Sequence, residues 1–257
     1  MTLSPALGAP ATPVIITGGA SGIGLASAQA LAAVGRPVAL WDINAAKADE
    51  AAAAIQAEHG VRAVGVGIDL RDLAAIAPAL DVTRAALGPI GGLVHAAGVV
   101  DQGSLDGLTP QSWDDGIAVH LRAMAFIIQA IQPDLAAQPG SAIVAIASIN
   151  ATLGNAVNPI YSAAKGGMLS LVRSLADRLA QDKVRINSVS PGYVLTPMMA
   201  PAVAALPEGH FERRVLLNRI GDPSEIGRVV RFLLSDEASY VTASEIIVDG
   251  GTVSSQR

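Results

Sequence analysis

Cysteine is absent from this chain of 257 residues, which excludes disulfides, thiolate nucleophiles and thiolate metal sites. Histidine is scarce, and the four that occur, at positions 59, 95, 120 and 210, lie too far apart to form a local metal motif. No stretch reaches the roughly 18 uninterrupted apolar residues of a membrane span, and no basic run interrupts a net charge of −5. A nucleic acid or an acidic membrane surface is therefore a poor match as main partner, and a small molecule fits better. Charged residues supply only 15% of the chain and aromatic residues 3%, against 51% hydrophobic. Such a composition can bury a large core and leaves apolar surface for subunit contacts, so an oligomer is expected. Residues 1–13 hold three prolines and no charged side chain. They lack the basic start and continuous apolar centre of a signal peptide and read as a tail, which makes the cytoplasm the expected location.

What the chain has in quantity is alternation. Short β-rich runs at 14–17, 38–41, 63–68, 93–95, 142–147, 185–190 and 246–248 alternate with longer alanine- and leucine-rich segments at 23–34, 45–59, 73–87, 111–132, 162–181 and 224–234. Several of the short runs are continuously apolar, as strands buried on both faces are. The pattern predicts an α/β chain forming one Rossmann-like, doubly wound parallel sheet with helices on both faces, a single domain over 14–257. Between Pro191 and Pro223 the alternation breaks. That long segment is expected to be a substrate lid over about 193–220; the alternative is a helical insertion packed on a neighbouring subunit.

The chemistry is concentrated in a few residues. With only three tyrosines and three lysines in the chain, a Tyr-x-x-x-Lys spacing rarely arises by chance, and Tyr161 and Lys165 supply one in a segment that reads as helix. Side chains at i and i+4 share a helix face. The Lys165 ammonium is expected to stand near the Tyr161 phenol and lower a pKa that is otherwise about 10, toward use as an acid or base. Thr17-Gly18-Gly19-Ala20-Ser21-Gly22-Ile23-Gly24 follows the first strand and opens the first helix. Glycines at 18, 22 and 24 would permit a tight turn and close backbone approach to a pyrophosphate at a helix N-terminus. Asp42, ending the second strand, can hydrogen-bond the ribose diol of NAD and repel a 2′-phosphate, so NAD is expected over NADP; it could instead cap the helix near Asn44. Asp69 after the third strand is a candidate for the adenine side, or a turn-former. Adjacent Asp114 and Asp115 diverge on a helix by about 100° and read as capping or solvating groups.

With these pieces in place the sequence resembles the short-chain dehydrogenase/reductase family from Val14 to Gly251. Thr17–Gly24 is similar to its T-G-x-x-x-G-x-G, Tyr161 and Lys165 to its Y-x-x-x-K, and Ser148, 13 residues before Tyr161, to its catalytic serine. Asn187-Ser188-Val189-Ser190-Pro191-Gly192 with Thr196, Arg219–Pro223 and Asp249-Gly250-Gly251 resemble its C-terminal part. The resemblance implies an NAD-linked site with Ser148, Tyr161 and Lys165 as catalytic residues, in a homotetramer or homodimer. It implies cofactor contacts from Gly18, Ser21, Gly22, Ile23, Gly24, Asp42, Asp69, Leu70, Ala97, Gly98, Tyr161, Lys165, Pro191, Gly192, Val194 and Thr196. Substrate contacts are expected from Ser148, Asn150, Tyr161, Tyr193, Met198 and Met199. Two departures stand out. His95-Ala96-Ala97-Gly98 replaces the usual N-N-A-G, so the hydrogen bonds steadying that turn must differ. His120 stands where the family has the asparagine of its catalytic tetrad, either as a proton relay through its ring or as a buried helix residue filling space.

The expected reaction interconverts a secondary alcohol and a ketone by hydride transfer, without a metal. Tyr161 serves as acid/base and Ser148 as a donor to the substrate oxygen. The apolar lid, with Val194, Leu195, Met198, Met199, Val203 and Leu206, points to a cyclic, aromatic or steroid-like substrate. Arg213 and Arg214 open the alternative of a 3-oxoacyl-(acyl carrier) reductase. A catalytically idle NAD-binding subunit is the reading from another class, and an epimerase or dehydratase the further enzymatic one.

Overall fold

The computed structural model describes residues 10–254; the first nine residues of the expected tail lie outside them. Seven strands, β1 (Val14–Thr17), β2 (Val38–Asp42), β3 (Ala63–Gly67), β4 (Gly92–His95), β5 (Ala142–Ile146), β6 (Arg185–Pro191) and β7 (Glu245–Val248), form one sheet in the order β3-β2-β1-β4-β5-β6-β7. All neighbouring pairs are parallel.

Their apolar runs work on both faces. Ala39, Ile15, Leu93, Ile143 and Ile186 stand side by side across the register and belong to one core, beneath α3 (Ile76–Leu87), α5 (Ala123–Ala137) and α7 (Pro159–Gln181). Their chain neighbours Val14, Ile16, Val38, Leu40, Val94 and Val144 belong to the other, under α1 (Gly22–Ala32), α2 (Ala45–His59) and α9 (Pro223–Leu233). Each such valine, leucine or isoleucine, fully withdrawn from water, contributes about 1.5–3 kcal/mol. Gly227 lets α9 lie against α1, since a Cβ there would come 2.5 Å from the Ala26 carbonyl oxygen. At the opposite end from the strand tips, the buried Arg36 guanidinium donates to the carbonyls of Thr12, Gly91 and Leu234.

Local signals set several helix starts. Asn44 caps α2 by accepting from the Lys47 N–H at 3.0 Å. Thr109 and Ser112 form a capping box with Pro110 at the first position of α4 (Pro110–Ile117), and Asp222 and Glu225 form another before α9. The helix expected at 111–132 departs from expectation. A π-helical turn at Ala118–Arg122 separates α4 from α5, and α5 runs through Pro133 to Ala137. Two short helices, α6 (Asn150–Leu153) and α8 (Ala200–Ala205), were not anticipated.

The sheet order reverses between β1 and β4, because the chain returns from β3 to the far side of β1. In such folds the crevice outside the strands' carboxyl ends at this switch point is where ligands bind.

Candidate active site

Three chain segments meet at the carboxyl ends of β1, β4 and β6. Gly18 (φ +65°) and Gly22 (φ +52°) adopt left-handed backbone that favours glycine. A Cβ on Gly18 would lie 2.9 Å from Ala97 Cα, and one on Gly22 would lie 3.4 Å from Thr196 Cγ2. The turn therefore abuts the 96–98 loop on one side and faces Thr196 on the other. Ser21 precedes α1 in extended backbone and makes no capping bond, so the first-turn N–H groups of α1 have no side-chain acceptor and suit phosphate oxygens. Asp42 is steered toward this turn, Oδ2 accepting from the Ala20 N–H at 3.1 Å and Oδ1 from the Asn44 N–H at 3.0 Å. Asn44 does the helix capping, which leaves Asp42 beside the glycine turn. These residues fit a dinucleotide. Asp69 is more occupied. Arg71 grips its carboxylate through Nε and one terminal nitrogen, at 3.0 and 2.6 Å, while the next residue, Leu70, is buried.

β5 delivers Ser148, and α7 delivers Tyr161 and Lys165 on one face. The Ser148 Oγ accepts from the Asn150 N–H at 3.1 Å and is hydrogen-bonded to the Tyr161 hydroxyl. Lys165 is buried; its Nζ donates to the Ile146 carbonyl at 2.5 Å and lies 5.4 Å from the centre of the Tyr161 ring. The expectation of a depressed tyrosine pKa is not met in this state. Burial raises Tyr161 above its ordinary 10.0, with the Ser148 hydrogen bond acting the other way. Burial also pulls Lys165 down to about 7, so near neutrality much of it is uncharged.

The two unusual histidines are both fully buried. The Thr17 hydroxyl accepts from the Ala96 and Ala97 N–H groups at 3.1 and 3.2 Å and lies 3.0 Å from His95 Nδ1. Its own proton is therefore donated to Nδ1, which places the ring proton on Nε2, 3.1 Å from the Val119 carbonyl in the π-turn. Burial, and the Lys165 charge second, hold His95 down to about 3. His120 occupies the π-turn itself. Its Nε2 meets the Val99 carbonyl at 2.8 Å and the Val99 N–H at 3.2 Å, and its Nδ1 has no hydrogen-bond partner. The ring stands edge-on to Tyr161, 5.4 Å between centres. Burial, again with Lys165 second, keeps its pKa well below 6.5 and the ring neutral. Both contacts of Nε2 are with peptide groups, which do not carry a proton onward.

The 193–220 segment is closed at its neck. Val194 bridges Gly221, with N–H donation from Leu195 to the Gly221 carbonyl and from Gly221 to the Tyr193 carbonyl, each at 2.9 Å. Val194 is buried in the core, Thr196 accepts from the Met199 N–H, and Met198 is half exposed. Tyr193 packs on Phe211, ring centres 4.9 Å apart. A Cβ on Gly192 would meet Asp249 at 2.7 Å, so Pro191 and Gly192 are held by the turn after β7.

Sequence reasoning missed Asp101. Its Oδ1 accepts from the Tyr161 N–H at 2.9 Å and its Oδ2 from the Ile160 N–H at 3.1 Å. No local pattern marks a contact between residues 60 positions apart. In the sequence Asn158-Pro159 reads as a self-sufficient helix start, and only the structure shows that Asn158 makes no side-chain cap.

A nucleotide-type crevice at the switch point, with a Ser-Tyr-Lys cluster beside it, defines a dinucleotide-dependent oxidoreductase class. The family profile described as enoyl-(acyl carrier protein) reductase matches residues 18–253. The probable galactose dehydrogenase of Rhizobium meliloti (strain 1021) is 34% identical over 244 residues, 93% of each chain. The cis-4-hydroxycyclohexanecarboxylate dehydrogenase of Sinomonas cyclohexanicum is 35% identical over 238 residues, 92% of this chain and 94% of that one. The crystal structure of L-sorbose reductase from Gluconobacter frateurii, complexed with NADPH and L-sorbose, superposes with a TM-score of 0.90 at 26% identity, covering 97% of this chain and 99% of the other. The chain belongs to the short-chain dehydrogenase/reductase family of nicotinamide-dependent oxidoreductases.

Proposed function

We propose that this protein interconverts a secondary alcohol and a ketone with NAD. The observation that carries the reading is the convergence of Ser148, Tyr161 and Lys165 beyond the end of β5, at the same edge of the sheet as the glycine turn after β1. When bound, the nicotinamide accepts or supplies the hydride. Gly18, Ser21, Gly22, Ile23 and Gly24 would receive its phosphates, and Asp42 its adenosine ribose. Asp69, Leu70, Ala97, Gly98, Pro191, Gly192, Val194 and Thr196 would line the remainder. Ser148 donates to the substrate oxygen and orients it. Tyr161 takes the hydroxyl proton during oxidation and returns it during reduction. Lys165, in its protonated form, favours the phenolate.

NAD over NADP rests on Asp42, whose carboxylate would repel a 2′-phosphate. Asp42→Ala should raise the kcat/KM ratio of NADP to NAD by about ten-fold or more, on the order of the 1–2 kcal/mol of a lost like-charge clash; an unchanged ratio would remove Asp42 as the selector. A cyclic or otherwise apolar substrate is supported by the exposed Leu195, Met198 and Leu206 of the lid segment and by the cyclic alcohol named for the Sinomonas relative. Asn150, Tyr193 and Met199 would complete its contacts. The alternative, a 3-oxoacyl thioester on an acyl carrier, is supported by the exposed Arg213 and Arg214 and by the description of the matching family. A homodimer or homotetramer agrees with the exposed Phe126, Phe232 and Ile247. The test is reduced-nicotinamide formation from NAD and from NADP across cyclic, aromatic, steroid, aliphatic and sugar alcohols, with 3-hydroxyacyl thioesters included. Turnover selects among the substrate classes. NADH binding with silence across the whole panel would favour the idle subunit and sink the dehydrogenase reading.

A further inference from the structure

α7 carries Tyr161 at its third position, yet its own sequence does not cap it. Pro159, first in the helix, has no N–H to satisfy, and the residue before it, Asn158, makes no side-chain bond to the helix N–H groups. The Ser162 N–H finds the Asn158 carbonyl at 3.0 Å. Two donors remain, from Ile160 and Tyr161, and both are taken by the two oxygens of Asp101. Asn158, the residue placed to cap, turns its side-chain amide outward and donates to the Asp101 carbonyl instead. Asp101 is thus bound on three sides to the start of the helix. Two residues earlier, His120 Nε2 lies against the Val99 peptide, 2.8 Å from its carbonyl oxygen and 3.2 Å from its nitrogen, and pairs with one of the two according to its tautomer. Gly98 admits the His120 ring, since a Cβ there would come within 2.6 Å of Cε1.

We propose that Val99-Val100-Asp101 is a strap between the π-turn and the catalytic helix, and that Asp101 is a positioning residue that fixes where the Tyr161 backbone, and with it the phenol, stands against Ser148 and His120. A cap alone would be satisfied by a side chain at position 158, as in most helices. A carboxylate brought from the loop after β4 adds what a local cap lacks, namely a fixed relation between α7 and the loop that abuts the glycine turn. In this arrangement His120 acts through Val99, holding the near end of the strap, rather than as a conduit for protons. The inference rests on the reading of Tyr161 as the acid/base.

The experiment separates capping from positioning. Asp101→Ala should lower kcat about 10²-fold, the scale of a misplacement near 1 Å, while the affinity for NADH changes little. Asp101→Ala combined with Asn158→Asp restores a local carboxylate to the helix start. It should recover the melting temperature without recovering kcat. Asp101→Asn, which keeps one acceptor, should fall between. A second readout needs no turnover: the ultraviolet titration of Tyr161, taken as the difference from Tyr161→Phe. In the double variant, whose charge at the helix N-terminus is restored, the phenol should titrate lower than in the parent, toward its ordinary 10.0, as it loosens from its buried seat. Recovery of stability, kcat and the parental titration together by Asn158→Asp would reduce Asp101 to a cap and overturn the proposal. So would an unaltered kcat and titration in Asp101→Ala. If the parent turns over no alcohol, the dehydrogenase reading fails on that result, and the titration still decides the position of Tyr161.

Discussion

Tyr161 and Lys165 are set against each other by burial. The phenol is raised above 10.0 and the ammonium lowered to about 7, so near neutral pH the tyrosine holds its proton and is ready to act as an acid. On the proposed reading of Tyr161 as the acid/base, alcohol oxidation needs the deprotonated phenol. Its rate should therefore climb steadily as pH rises from neutrality into the alkaline range, whereas ketone reduction should be strongest at neutral pH and fall at high pH. Initial rates in both directions across pH 6–10 check this. A flat oxidation profile would mean that another group takes the proton. Tyr161→Phe should leave NADH affinity nearly unchanged and reduce turnover by at least ~10²-fold; near-normal turnover would remove Tyr161 from the acid/base role.

The π-turn is the element that departs most from a regular helix, and π-bulges concentrate at functional sites. Here the widened turn is held by two histidines. His95 donates to the Val119 carbonyl from β4, and His120 reaches from the turn to Val99. Gly98→Ala tests how tightly this is packed. Its Cβ would stand 2.6 Å from His120 Cε1, and the ring, buried between Gly98 and Tyr161, has little room to yield. The expected result is a loss of about 1–3 kcal/mol in stability, typical of overpacking, with a loss of turnover that His120→Ala, in combination, partly relieves. Urea unfolding and kcat of the two variants and the pair measure both. If Gly98→Ala were as stable and active as the parent, the strap would be looser than the distances indicate.

At the scale of the whole molecule the two neutral histidines make stability depend on pH. His95 is lowered to about 3 and His120 well below its ordinary 6.5. Between the folded and unfolded values the unfolded chain binds more protons, so the histidines' contribution to stability is complete above pH 6.5 and is lost as pH falls from there toward 3. The slope is at most about 1.4 kcal/mol per pH unit for each histidine. His95→Asn, whose amide can still donate toward Val119 and accept from Thr17, should flatten the urea midpoint between pH 4 and 6.5. An equally steep decline in that variant would assign the acid sensitivity elsewhere.

The seven strands, their order of appearance and the glycine turn were legible in the sequence because buried parallel strands are continuous apolar runs, and because tight turns at a helix start demand glycine. Tyr161, Lys165 and Ser148 were legible as a spacing, and Asp42 as a strand-ending carboxylate. The π-turn was not, because residues 110–137 keep an apolar helical pattern whether or not one residue bulges. The direction of the Tyr161 shift also escaped, since a cation four residues away is visible in a sequence whereas desolvation by other elements is not. Asp69 was singled out without its partner Arg71, two residues on, because spacing alone does not say which way a guanidinium turns. Asp101 is the clearest case. A carboxylate in the loop after β4 finds two N–H groups at the start of α7 only after β4 and β5 lie side by side. Local chemistry and periodicity thus determined which elements form and which residue types are proposed for the reaction. Packing decided what each charge meets, because the energy of a buried charge or hydrogen bond depends on neighbours that the chain brings together only on folding.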